Sequence, residues 1–168
     1  MRNLGPAFST WWSPAKNVSL AWGEVPGSLA KTTGRGKMTM TPTAEERDAL
    51  FKKFGRAFFK QDLDAMYDVV TEDFAYSILV DDAPRQMTSR QQVAAFFEER
   101  RGLQKDVRFE DVVFHHAPDA TFMTYRVTGT DVASGDRFER IGVERYTFRD
   151  GRIAEKDVYS RPMVKAAA

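Results

Sequence analysis

The spacing of apolar and polar positions divides the chain near Thr41. Upstream, Gly5, Gly23, Gly27, Gly34, Gly36, Pro6, Pro14 and Pro26 break any helical or strand period. Residues 1–40 therefore read as a disordered extension, or as one created by an early start, with Met38 or Met40 as natural starts. At Thr43 the texture changes. Thr43-Ala-Glu-Glu46 is a capping box, in which hydroxyl and carboxylate satisfy reciprocal backbone donors. Leu50, Phe51, Phe54, Ala57 and Phe58 follow at helical spacing on one stripe. Asp62 caps a second, shorter helix with Leu63, Met66, Val69 and Val70 inward. Residues 74–80 predict a short strand closed by Asp81-Asp82 and Pro84, and Ser89-Arg-Gln-Gln92 is a capping box opening a helix that stops at Gly102. From Val107 the period becomes two. Strands are expected at about 107–116, 120–132, 137–149 and 152–160, with turns at Pro118-Asp119, Ser134-Gly135-Asp136 and Asp150-Gly151.

Helices followed by a four-strand meander give an α+β order, with the helices on one face of a curved antiparallel sheet. The folded part is taken as residues 41–162, with 163–168 as a tail.

Composition fits that picture. Hydrophobic residues make up 42%, with 13 Phe, 5 Tyr and 3 Trp, enough for a real core. No apolar run reaches the length of about 18 residues that a membrane helix needs, and no continuous apolar leader follows the basic start. A cytoplasmic protein is expected. Cysteine is absent, which excludes disulfides, thiolate metal sites and a Cys nucleophile. The formal charge of +1 gives no case for a nucleic-acid or membrane partner. Residues 1–37 hold five basic side chains against Glu24 alone, so the folded part is mildly acidic. Trp11, Trp12 and Trp22 are unusual in such a segment and leave open an aromatic docking arm.

Phe59-Lys-Gln-Asp-Leu-Asp-Ala-Met66 followed by Thr71-Glu-Asp-Phe74 resembles the opening of the nuclear transport factor 2-like superfamily. Glu144-Arg-Tyr-Thr-Phe-Arg-Asp-Gly-Arg-Ile153 through Tyr159 resembles its closing hairpin, especially in the SnoaL-like, polyketide-cyclase-like branch. The resemblance runs from about Thr43 to Pro162. It implies a cone-shaped fold, with about three helices packed on a strongly curved, mixed, mostly antiparallel sheet enclosing a pocket. The superfamily includes isomerases, cyclases, hydrolases, dehydratases and plain binding proteins, so the fold alone assigns no function.

Alternation sorts the pocket side chains. In 142–148, Gly142, Glu144, Tyr146 and Phe148 share one face and Val143, Arg145 and Thr147 the other. The first set holds the aromatics and is assigned to the pocket. Glu144 then projects among apolar neighbours, and burial is expected to raise its proton affinity. By resemblance, Glu144 falls where ketosteroid isomerases and SnoaL-like cyclases have a catalytic Asp. A type I′ turn at Asp150-Gly151 pairs Glu144 with Asp157, two facing carboxylates. A bulge after the turn would exchange the faces, turning Lys156, Val158 and Ser160 inward and making Glu144–Lys156 a satisfied ion pair. Both registers stay open. The catalytic candidates are Glu144, Tyr125 and Asp157. Tyr76, Phe54, Phe58, Ile78, Phe97, Tyr146, Val127 and Lys156 are expected to bind ligand. By resemblance, Tyr76 matches a tyrosine with which limonene epoxide hydrolases hold water.

The departures from those enzymes matter as much. Ile78 stands where the isomerase has its base Asp, and Phe54 replaces its helix tyrosine. The hydrolase's Asp-Arg-Asp set falls on Val127, Tyr125 and about Val158, and its Asn on Ile78. Neither chemistry is intact. His115 and His116 point to opposite strand faces and have no third ligand at metal spacing.

Two functions remain in view. One is cofactor-free acid–base catalysis of an isomerisation, cyclisation or hydrolysis on a small hydrophobic molecule. The other is a non-catalytic hydrophobic-ligand-binding or dimerisation domain. Val112, Phe114, Arg126, Val143 and Arg145 are expected on the outward sheet face, and relatives dimerise through that surface, so a homodimer is expected.

Overall fold

The computed structural model describes residues 41–80 and 83–163. The expectations for residues 1–40, the Asp81-Asp82 turn and the last five residues lie outside them. Helix α1 (Ala44–Lys60) is followed by α2 (Leu63–Tyr67), β1 (Val70–Val80), β2 (Ala83–Met87), α3 (Arg90–Arg100), β3 (Gln104–His116), β4 (Ala120–Asp131), β5 (Arg137–Arg149) and β6 (Arg152–Pro162). One six-stranded sheet runs in the order β2-β1-β6-β5-β4-β3. Among the described residues only β1 and β6 pair in parallel, so the sheet is mixed, open and curled, as expected.

The caps explain where the helices begin. The Thr43 amide donates to Glu46 Oε2 at 2.8 Å, and the Glu46 amide returns to Thr43 Oγ1 at 3.3 Å. Asp62 Oδ1 accepts from the Ala65 amide at 3.1 Å and starts α2. Ser89 accepts from the Gln92 amide, but Gln92 Oε1 takes the Thr88 amide instead of completing a box on Ser89. Helix α1 presses Phe51, Phe54 and Ala57 onto the sheet, and Phe51 stacks on Phe114 of β3 at 4.6 Å between centroids. Each such ring contributes roughly 1.5–3 kcal/mol by leaving water.

Two corrections concern the first strands. β1 begins at Val70, so α2 ends earlier than the apolar spacing suggested. The segment after the turn is not closed by Pro84: β2 returns as an edge strand, with Leu79 opposite Pro84. Proline is tolerated there because an edge strand leaves one row of donors unpaired. The later strands fall where the period-two pattern puts them. No helix among the described residues is long and apolar enough to cross a membrane.

Irregularities then decide which side chains face inward. Asp150 and Gly151 take φ of 51° and 74°, the left-handed pair that a type I′ turn requires. Phe148 pairs with Ile153, yet Thr147 pairs with Glu155, which leaves Ala154 as a bulge. Another shift occurs in β3 between Glu110 and Val113, where Asp111 adopts φ 54°.

Candidate functional site

The bulge at Ala154 settles the hairpin register. Glu144 lies opposite Val158, Tyr146 opposite Lys156, and Arg145 opposite Asp157. Lys156 therefore points inward. Asp157 does not, contrary to the turn-only register: its carboxylate is on the outer face, where Arg145 Nη1 donates to it at 3.0 Å. Its assignment as a second catalytic carboxylate is withdrawn for that reason.

Inside, three side chains meet. Glu144 and Lys156 are 5% and 2% exposed, and Lys156 Nζ stands 2.6 Å from Glu144 Oε2. The Tyr146 hydroxyl donates to the same oxygen. The ammonium also lies over the rings of Phe58, Tyr76 and Tyr146 at 5.1, 5.2 and 5.4 Å from their centroids. Burial lowers the proton affinity of Lys156, and the adjacent Glu144 opposes that. Burial raises the Tyr146 pKa well above its ordinary value, and the Glu144 charge adds to the effect. The Glu144–Lys156 ion pair is the one that the bulged register anticipated.

This cluster borders a cavity of about 40 Å³ between α1 and the sheet, walled chiefly by Phe51, Phe54, Phe58, Phe59, Phe109 and Phe114. At one probe sphere per water, that is room for about three waters. Of the expected ligand-binding residues, Phe54, Phe58, Tyr146 and Lys156 line it, together with the catalytic candidate Glu144. Tyr76 and Phe97 form a shell behind, each edge-on to Phe58 at 5.7 and 5.1 Å. Ile78 and Val127 pack in the core without lining the cavity. Tyr125 points inward but packs on Phe109 at 4.9 Å and over Gly142. A Cβ at Gly142 would sit 2.4 Å from that ring, so the glycine makes room for it. Burial raises the Tyr125 pKa, and Glu144 raises it further.

Phe114 and Val112 were expected on the outer face. Phe114 instead lines the cavity and Val112 packs on the core, because the Asp111 irregularity shifts the alternation of β3. Phe109 and Phe114, five positions apart, thereby reach the same cavity. An Asp in the middle of an apolar strand, a residue type that tolerates left-handed backbone, was the available signal.

Sequence reasoning also missed a second buried polar cluster at the start of α1. Arg47 donates to Pro42 O (2.8 Å), Ala117 O (2.7 Å), Ala120 O (2.9 Å) and Pro118 O (3.1 Å), locking the β3–β4 turn to the helix. His116 bridges Thr121 Oγ1 at 2.9 Å and Asp48 Oδ1 at 3.1 Å, while His115 is exposed.

The outer face carries a groove of about 710 Å³ bordered by Leu79, Arg126, Ile141, Val143, Tyr159 and Met163 among others. Arg126 points outward as expected, pairing with Glu110 (2.8 Å), Asp111 (3.0 Å) and Glu139 (3.0 Å).

With this geometry in place, comparison with known proteins identifies the framework. The chain is similar to a protein assigned as a polyketide cyclase from Xanthomonas campestris pv. campestris, at 21% identity and a TM-score of 0.57, covering 68% of this chain and 90% of that one. It is similar to a nuclear transport factor 2-like protein from Burkholderia xenovorans at 16% identity and a TM-score of 0.59, covering 71% and 92%. It is also similar to a protein assigned as an isomerase from Bacillus subtilis, at 13% identity and a TM-score of 0.58, covering 70% and 87%. At these identities the likeness shows the fold alone. No curated protein matches the sequence. The model of the SnoaL-like domain matches residues 51–156, well over half of the chain, and the protein belongs to that family.

Proposed function

We propose that the domain is a small-molecule pocket protein performing cofactor-free acid–base chemistry, of isomerase, cyclase or hydrolase type, on a small and largely apolar substrate. The observation that carries this reading is a nearly inaccessible carboxylate at a phenylalanine-lined cavity, with Oε2 held by Tyr146 and Lys156. Glu144 is the proton-transfer group. Tyr146 and Lys156 fix its carboxylate at Oε2, beside the cavity. The electrostatics favour such a role: few waters screen a charge among aromatic walls, so a proton shift there strongly perturbs a bound molecule. Tyr125 and Tyr76 act by shaping the site around the reacting groups.

A second reading is a pocket that binds without turnover. The Glu144–Lys156 pair favours it, because a satisfied buried ion pair can be purely structural. The exposed Tyr159, Val143 and Leu79 on the sheet surface support a homodimer through that face in either case.

The test pairs turnover with binding. Wild type and Glu144→Gln are presented with small ketones, epoxides and esters, and both product and retained ligand are followed by mass. The acid–base reading expects a turned-over compound in wild type and its unreacted form held by the variant. Equal retention by both proteins, with no product from either, supports the binding reading instead.

A further inference from the structure

We infer that Lys156 is a reactive amine whose Nζ, at the cavity beside Glu144 and Tyr146, condenses with a small uncharged aldehyde or ketone to form an imine. The inference rests on the reading of this cavity as a small-molecule site and assigns it both a covalent residue and a substrate class.

Position carries the argument first. Lys156 is the only lysine among the buried charged residues of the described chain, and its side chain lines the cavity. An ordinary surface lysine is almost wholly protonated at neutral pH and therefore a poor nucleophile. Desolvation works against the ammonium here, which is how a pocket activates a lysine. The three rings around Nζ partly offset that, and Glu144 supplies what the rings cannot. At 2.6 Å it can take a proton from Nζ directly, turning two buried charges into a neutral amine and a neutral acid.

The step balances within the site. Glu144 Oε2 accepts one proton from the Lys156 ammonium, and the freed lone pair attacks the carbonyl carbon. The carbonyl π pair moves to oxygen, which takes the proton that Glu144 holds. A second nitrogen proton passes by Glu144 to the resulting hydroxyl as the C–O bond breaks and water leaves. The product is a protonated imine beside a Glu144 carboxylate, the same charge pair as at the start. Tyr146, donating to Oε2, positions the carboxylate throughout.

The walls define what enters. Phenylalanines exclude a charged carbonyl compound such as a keto acid, and a space of about three waters fits a molecule of about three heavy atoms without movement of the rings. Phe59, 43% exposed, marks where the cavity approaches the surface.

The experiment is reductive trapping on the full chain with acetaldehyde and cyanoborohydride at neutral pH, read by peptide mass over time. Lys52 and Lys53, exposed on α1, serve as internal standards. Desolvation lowers the proton affinity of Lys156 and so raises its free-amine fraction, and Lys156 is expected to label faster than Lys52. In Glu144→Gln the rate at Lys156 falls while that at Lys52 holds. Lys156→Arg, checked for fold by circular dichroism, loses only that one adduct. Lys156 left unlabelled while Lys52 and Lys53 react overturns the imine. If small apolar alcohols still bind in that event, the cavity survives as a ligand site; if they do not, the functional reading falls with it.

Discussion

Lys156 Nζ and Glu144 Oε2 lie 2.6 Å apart, with both side chains almost wholly removed from water. A pair placed so deep is held together by each partner's need for the other. Truncating Lys156→Met leaves an unpaired buried carboxylate and is expected to cost about 3–5 kcal/mol. The double replacement Glu144→Leu/Lys156→Met fills the same space with apolar atoms and is expected to recover most of that loss. Denaturant unfolding of wild type, Glu144→Leu, Lys156→Met and the double variant checks the pattern, and strict additivity of the two single changes would speak against a coupled pair.

Asp157 gives the opposite expectation. It faces outward against the half-exposed Arg145, so Asp157→Asn is expected to change stability by no more than about 1 kcal/mol. Any turnover found for the wild type is expected to persist in it. Loss of turnover in this variant would revive the two-carboxylate register.

These two residues mark how far the sequence could be read. The alternation of β5 put Glu144 inside correctly, because period-two patterning follows from strand geometry. The next strand was ambiguous: one bulged residue, Ala154, exchanges its faces, and nothing in its composition announces it. The same limit hid Phe114, whose face depends on the irregularity at Asp111. Arg47 was hidden differently. A charged residue one turn into a helix reads as solvated until the β3–β4 turn, some seventy positions away, is seen to present its carbonyls to it.

That clamp makes its own prediction. Arg47→Lys keeps the charge but cannot reach four carbonyls with one forked group. A loss of about 2–3 kcal/mol is expected from the acceptors left unmet, read by thermal or urea unfolding. A change within surface-substitution range would contradict it.

Alkaline pH should weaken the fold through the buried tyrosines. The pKa values of Tyr76, Tyr125 and Tyr146 are raised above the ordinary 10.0, chiefly by burial, so the native state holds their protons longer than the unfolded chain. Their stabilising contribution is complete below pH 10.0 and is lost as pH rises beyond it. Lys156 acts with the opposite sign. Its lowered pKa makes its contribution most unfavourable at low pH, and that penalty fades as pH approaches 10.5. Stability is therefore expected to fall once pH passes the tyrosine range, less steeply in Tyr146→Phe. Urea unfolding across the alkaline range reads both slopes.

The outer sheet face is expected to join two copies. Tyr159, 61% exposed, and Val143 stand on it beside the groove. Tyr159→Glu with Val143→Glu is expected to shift a dimer to a monomer in light scattering, with the far-ultraviolet spectrum unchanged. A wild type that is monomeric at high concentration would contradict this.

The central claim is that the buried acid–base pair serves a ligand in the adjoining cavity. Native mass spectrometry tests it most directly, by exposing wild type and Glu144→Leu/Lys156→Met to a mixture of uncharged oxygen-bearing molecules of a few heavy atoms. The account predicts one or more such molecules retained by the wild type and lost from the apolar double variant. Equal retention by both, or none by either, would contradict it.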